Sequence, residues 1–62
     1  MERLLRIEQV TDVTGVPEAT LRWKRHMGEG PRSFKLAGRV VYKESDVEAW
    51  VEAQYAAGKP AA

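Results

Sequence analysis

Thr14-Gly15-Val16-Pro17-Glu18-Ala19-Thr20-Leu21-Arg22 carries the end of one helix, a tight corner and the start of another. Gly15 can take the left-handed backbone that ends a helix. Pro17 suits the first turn of the next, because the N–H it lacks would have no intrahelical partner there. Glu18 beside it complements the positive end of that helix. Upstream, Ile7, Val10 and Val13 recur every three residues and Val10–Thr14 adds an i,i+4 step, which predicts a first helix from Ile7 or Glu8 to Thr14. Downstream, a second helix is expected from Pro17 to about Met27, where Gly28, Gly30 and Pro31 stop it.

Two short β-prone runs follow, Ser33–Leu36 and Arg39–Lys43, with Ala37-Gly38 between them. The glycine can supply the positive φ that a tight hairpin needs. Phe34 and Leu36 share a face of the first run, and Val40 and Tyr42 share a face of the second. One side of a two-stranded ribbon is therefore expected to be apolar, and the other to offer Lys35, Arg39 near the tip, and Lys43. Ser45-Asp46-Val47-Glu48 has the spacing of a capping box. Val47, Trp50, Val51 and Tyr55 then fall at i, i+3, i+4 and i+8, an amphipathic helix whose Val47, Trp50 and Tyr55 are expected in the core. Gly58 and Pro60 end it. The expected fold is α+β, mainly α: helix, turn, helix, two-stranded hairpin, helix, as one domain over residues 1–58 with a loose tail at 59–62.

Composition narrows the function. A chain of 62 residues buries only about 60% of the surface its unfolded form exposes. It has no Cys, which excludes disulfides and thiolate metal sites, and its single His26 leaves no histidine cluster. No cofactor or small-molecule ligand is expected. No nucleophile–base pair suggests itself and the chain is short for a substrate pocket, so an enzyme is not expected. No run approaches the ~20 apolar residues of a membrane span. Met1-Glu2-Arg3-Leu4-Leu5-Arg6 is too polar for a secretory signal, so the expected setting is the cytoplasm.

The net charge of +1 conceals an uneven distribution. Residues 1–21 carry two Arg and four acids; residues 44–62 carry Lys59 and four acids. Residues 22–43 carry seven cations (Arg22, Lys24, Arg25, Arg32, Lys35, Arg39, Lys43) against Glu29 alone, a net +6. A basic middle third between acidic flanks suits a polyanion, or is a solvated surface.

Two short helices joined by a tight glycine-containing turn form either a DNA-reading unit or an ordinary helical corner. Three features favour the first: the second helix is the more basic, a hairpin flanked by cations follows it, and the acids lie mostly elsewhere. Two orientations of the second helix fit the spacing. With Leu21 inward, Ala19, Trp23 and His26 point away and Thr20 and Arg22 flank them. The competing stripe, Val16, Ala19, Trp23 and Met27, would bury Trp23 and expose Leu21. Periodicity does not separate the two. Arg22 is accessible in both.

These residues resemble the small excisionase-type winged helix-turn-helix proteins, which are related to AlpA-type regulators and to the DNA-binding domain of the MerR superfamily. The resemblance rests on L-L-R-I-E-Q-V at 4–10, G-V-P-E-A-T-L-R at 15–22 and R-H-M-G-E-G-P-R at 25–32. It continues in F-K-L-A-G-R-V-V-Y-K at 34–43 and S-D-V-E-A-W-V at 45–51. Two positions depart from it. Relatives often carry a core aromatic where this chain has Lys24, so either Trp23 swings inward or Lys24 packs its stem. Thr11 stands where many relatives keep a small apolar residue.

The resemblance implies double-stranded DNA as partner, with the second helix in the major groove and the wing along the minor groove or backbone. Carried over by position, Ala19, Thr20, Arg22, Trp23 and His26 would face the groove. Arg25, Lys35, Gly38, Arg39 and Lys43 would meet phosphate or minor groove. Arg22 is the candidate for guanine O6 and N7, or else a phosphate or ion-pair residue. An exposed Trp23 would pack on a thymine methyl or a sugar; His26 would otherwise sit near the last helix carbonyls. Arg39 beside Gly38 suits a narrow minor groove, or an ordinary soluble turn. The implied role is an excisionase, a recombination directionality factor whose neighbouring copies occupy tandem sites and bend DNA for a phage-type integrase. A small transcriptional regulator is the second reading, and a basic protein-interaction module the third.

Overall fold

The computed structural model describes residues 1–58, which form β1 (Leu4–Leu5), α1 (Ile7–Thr14), α2 (Glu18–His26), β2 (Phe34–Leu36), β3 (Arg39–Lys43) and α3 (Glu44–Ala57). The tail expected at 59–62 lies outside the described residues. α1 ends at Gly15, whose φ of 77° is the left-handed cap expected there, and its N–H donates to the Thr11 carbonyl at 2.8 Å. At the other end of α1 the Arg6 N–H donates to the Gln9 side chain at 2.9 Å, which satisfies a backbone donor just before the helix. α2 is capped by Pro17, one residue outside the helix rather than in its first turn. It closes with Glu29 N–H on the Lys24 carbonyl and Gly28 N–H on the Arg25 carbonyl, the two crossed bonds of a Schellman cap.

The sheet has three antiparallel strands in the order β1-β3-β2, not two. β1 pairs Leu4 with Lys43 and Leu5 with Tyr42. The hairpin pairs Phe34 with Val41, Lys35 with Val40 and Leu36 with Arg39 around a two-residue turn. Both turn residues have positive φ, 51° at Ala37 and 81° at Gly38, as a type I′ turn requires. Alanine is the costlier of the two in that conformation.

This register overturns the expected faces of the ribbon. Directly paired residues share a face. Leu5, Tyr42, Val40 and Lys35 therefore lie on one side, and Leu4, Phe34, Leu36, Val41, Arg39 and Lys43 on the other. Phe34 and Leu36 do not share a face with Val40 and Tyr42, and Lys35 does not share one with Arg39 and Lys43.

The first of these sides meets the helices. Leu5, Val10, Leu21, Tyr42 and Val47 form one buried cluster, with Ile7, Val16 and Val40 packed against it. Each helix contributes one fully buried side chain: Val10, Leu21 and Val47. Val13, at the third position of the expected apolar stripe on α1, is 65% exposed and lines an open groove with Val47 and Val51 of α3.

α3 follows β3 directly, and its start departs from expectation. Ser45 lies inside the helix and does not cap it; the Ser45 N–H instead donates to the Glu2 carboxylate at 3.0 Å. The Ser45 side chain, and then its backbone N–H, hold the Glu2 carboxyl below the usual carboxylate range. Glu44 N–H donates to the Arg3 carbonyl at 3.0 Å, so the N-terminal segment both pairs with β3 and caps α3. Beyond Trp50, which is half-buried, the helix outruns the core. Val51 is exposed, and Tyr55, expected inside, is 83% exposed.

Candidate nucleic-acid interface

Three residues, Gly15, Val16 and Pro17, separate α1 from α2. The Thr14 hydroxyl clamps the corner: it donates to the Val10 carbonyl at 2.7 Å and accepts from the Val16 N–H at 3.2 Å. With Val16 packed on the core, α2 leaves α1 at a set angle.

Leu21 settles the rotation of α2. It is 2% exposed, whereas Trp23 is 58% exposed. At 100° per residue this turns Ala19, Trp23 and His26 outward with Arg22 beside them. The competing stripe through Val16, Trp23 and Met27 is not formed, since Trp23 and Met27 both face solvent. Lys24 takes the half-buried place where an aromatic would pack. Its stem lies against Gly30, where a Cβ would come within 3.3 Å of the Lys24 Cβ, and its ammonium reaches Glu29 at 3.8 Å. The aromatic of this turn thus stays outside, and the lysine packs its methylenes.

Of the residues expected at an interface, Ala19, Arg22, Trp23, Arg25, His26, Lys35, Gly38, Arg39 and Lys43 are exposed, and Thr20 is half-buried. Arg22 is tethered one turn back by Glu18 at 3.1 Å, an exposed i,i+4 pair. Such pairs contribute only a few tenths of a kcal/mol, about 0.2–0.5, so the guanidinium is oriented without being locked. Among the described residues, Arg25, Arg32, Lys35, Arg39 and Lys43 have no carboxylate within ion-pair distance.

Arg25 and Arg32 line one shallow depression with Gly28, Glu29 and Pro31. Arg32 and Lys43 line the next, with Phe34 and Asp46. A basic strip therefore runs from the end of α2 to the base of the hairpin. Arg39 stands apart from it, sharing a depression with Arg6, Ile7 and Glu8 at the start of α1. Arg32 and Arg6 were not among the expected contacts. Arg32 had its signal in the charge count, while Arg6 required knowing that the hairpin tip lies beside α1. Lys35 extends from the helix-facing side of the sheet, away from Arg39 and Lys43.

Among the described residues no group of three His, Cys, Asp or Glu side chains converges to hold a metal ion. Among the described residues no helix is long and apolar enough to cross a membrane.

A family model described as a helix-turn-helix domain matches residues 4–55. No curated protein and no solved structure matches. The matched span runs from β1 into the exposed half of α3 and contains the corner, the outward face of α2 and the hairpin. Three helices with a small antiparallel sheet are the α+β arrangement of a winged helix-turn-helix. With that span and that corner, the chain belongs to the helix-turn-helix domain family, small proteins that bind DNA by sequence.

Proposed function

We propose that this protein is an excisionase of the winged helix-turn-helix type, laying neighbouring copies on tandem duplex sites and bending the DNA for a phage-type integrase. The observation that supports its DNA-binding core is the rotation of α2: Leu21 in the core turns Arg22, Trp23, His26 and Ala19 outward, while Arg25, Arg32 and Lys43 line successive depressions from the end of α2 to the hairpin. In this reading α2 enters the major groove and Arg22 donates two bonds to guanine O6 and N7, worth ~1–3 kcal/mol of discrimination. Arg25, Arg32 and Lys43 meet phosphates. Arg39, beside Gly38 at the hairpin tip, enters the narrow groove, while Lys35, on the opposite face of the sheet, is left out of the contact.

A module this small buries on the order of 600–1,000 Å² on DNA, so one copy binds modestly and useful occupancy needs neighbours. Arg25, Arg32, Arg39 and Lys43, none of them paired with a carboxylate, give a slope of log K against log salt of about −3 to −4.

Electrophoretic mobility shift on duplexes carrying repeated sites tests the proposal. A ladder of cooperative steps, with bending measured on circularly permuted fragments, is the expected result. A single footprint at a promoter, without bending, would replace it with a transcriptional regulator of the AlpA or MerR-like kind. Absence of salt-dependent duplex binding would leave a basic protein-interaction module. Arg22→Ala is expected to weaken a cognate site far more than random DNA; equal losses would make Arg22 a phosphate contact.

A further inference from the structure

Trp23 is the bulkiest of the large apolar side chains that the fold leaves in solvent. Its exposure is built in, because Leu21 takes the inward place on α2 and the stem of Lys24 fills the neighbouring one. Exposed Ala19 lies one turn back on the same face. Residues four apart on a helix are surface neighbours, and long side chains lean toward the N-terminal turn, so the indole leans over Ala19. A methyl group and an aromatic ring thus form the middle of the outward face. The Glu18–Arg22 pair flanks them, and Arg25 follows toward the helix end.

An apolar spot with a guanidinium beside it suits a partner whose apolar points lie close to anions. The floor of the major groove has that chemistry. Thymine 5-methyl groups are its apolar points, and phosphates line both rims. The small side chain at Ala19 lets the helix backbone approach the base edges, which a deoxyribose contact at the rim would not need.

We infer that Ala19 and Trp23 form a subsite for thymine, in which one 5-methyl group packs between the Ala19 methyl and the indole. This rests on the DNA-binding reading above and adds an element of sequence preference that Arg22 does not supply. The protein reads a guanine through Arg22 and a nearby thymine through Ala19 and Trp23.

The test uses duplexes enriched from a randomised pool by the wild-type protein, with each thymine replaced in turn by deoxyuridine. That exchange removes the 5-methyl group and leaves base pairing and the backbone unchanged. At one or two positions the wild type is expected to lose about three- to fivefold in affinity, the contribution of one buried methyl. Trp23→Ala is expected to bind thymine and uracil duplexes equally at those positions, and Ala19→Ser to show a reduced difference. Both residues are exposed, so thermal melting of the free variants checks that the fold is kept. Equal binding of thymine and uracil at every position overturns the inference, as does a methyl effect that Trp23→Ala leaves intact. Enrichment of no sequence despite duplex binding overturns it too. Failure of the underlying reading looks different: no salt-dependent binding to any duplex.

Discussion

The bonds that fix the corner between α1 and α2 span four residues or fewer: Thr14 to Val10, Val16 to Thr14, Gly15 to Thr11 and Leu21 to Pro17. Those that fix β1, β3 and α3 reach across most of the chain, from Glu2 to Ser45, from Arg3 to Glu44 and from Leu5 to Tyr42. Closing a short loop costs less entropy than closing a long one. The corner that presents α2 is therefore shaped mainly by its own residues. β1 and the cap of α3 take their places only when both ends of the domain are in place. The two regions meet in the cluster of Leu5, Val10, Leu21, Tyr42 and Val47.

Leu21→Ala is the change that would part them. It removes the one fully buried side chain of α2, and a cost of about 2–5 kcal/mol is expected in chemical denaturation. For a domain this small that is most of the stability. A loss under 1 kcal/mol would show that the regions hold separately. Next in size, Thr14→Val removes the hydroxyl that both donates and accepts at the corner, at an expected cost of about 1–2 kcal/mol. If the corner is set locally, duplex affinity should fall along with stability.

Ala37→Asn acts in the opposite direction. Asn-Gly is the preferred pair for a type I′ turn, and asparagine tolerates the left-handed backbone that alanine holds at φ 51°. A gain of about 1 kcal/mol is expected, with the hairpin register unchanged. The smallest effect belongs to the long-range bond at Glu2. Its carboxyl is held low by Ser45 in the folded chain, so its contribution is present above the unfolded carboxylate pKa and is lost as pH falls through the folded one. Melting temperature of the wild type should drop more on acidification from neutral pH than that of Glu2→Gln. Parallel curves would remove Glu2 as the tie between the N-terminus and α3.

The same division governs what could be read from the chain. The boundaries of α1 and the corner follow from Gly15 and Pro17, whose backbone preferences act where they stand. β1 has two residues, too few for any periodicity, and exists because β3 offers it an edge. The Ser45–Glu48 spacing misleads because a carboxylate from the distant N-terminus meets the Ser45 N–H. Tyr55 has core spacing but no core beneath it. The ribbon faces were legible in principle. A two-residue turn at Ala37-Gly38 pairs Leu36 with Arg39, which sets Phe34 opposite Val41 and places Lys35 with Val40. At the interface, Arg22 is outward under either rotation of α2. The fate of Trp23 depended on whether Leu21 or the indole filled a space bounded by Leu5, Tyr42 and Val47, and sequence spacing does not contain that volume.

From Val51 to Ala57 no side chain of α3 is more than partly covered, yet the helix is continuous with the buried turn at Val47. That makes it a natural splice point. A helical reporter or second DNA-binding module joined in frame to this half would inherit its direction from the core. Its angular position could be stepped by roughly 100° and 1.5 Å with each residue inserted. The spacing between two such fused modules on a duplex could thus be set by counting residues.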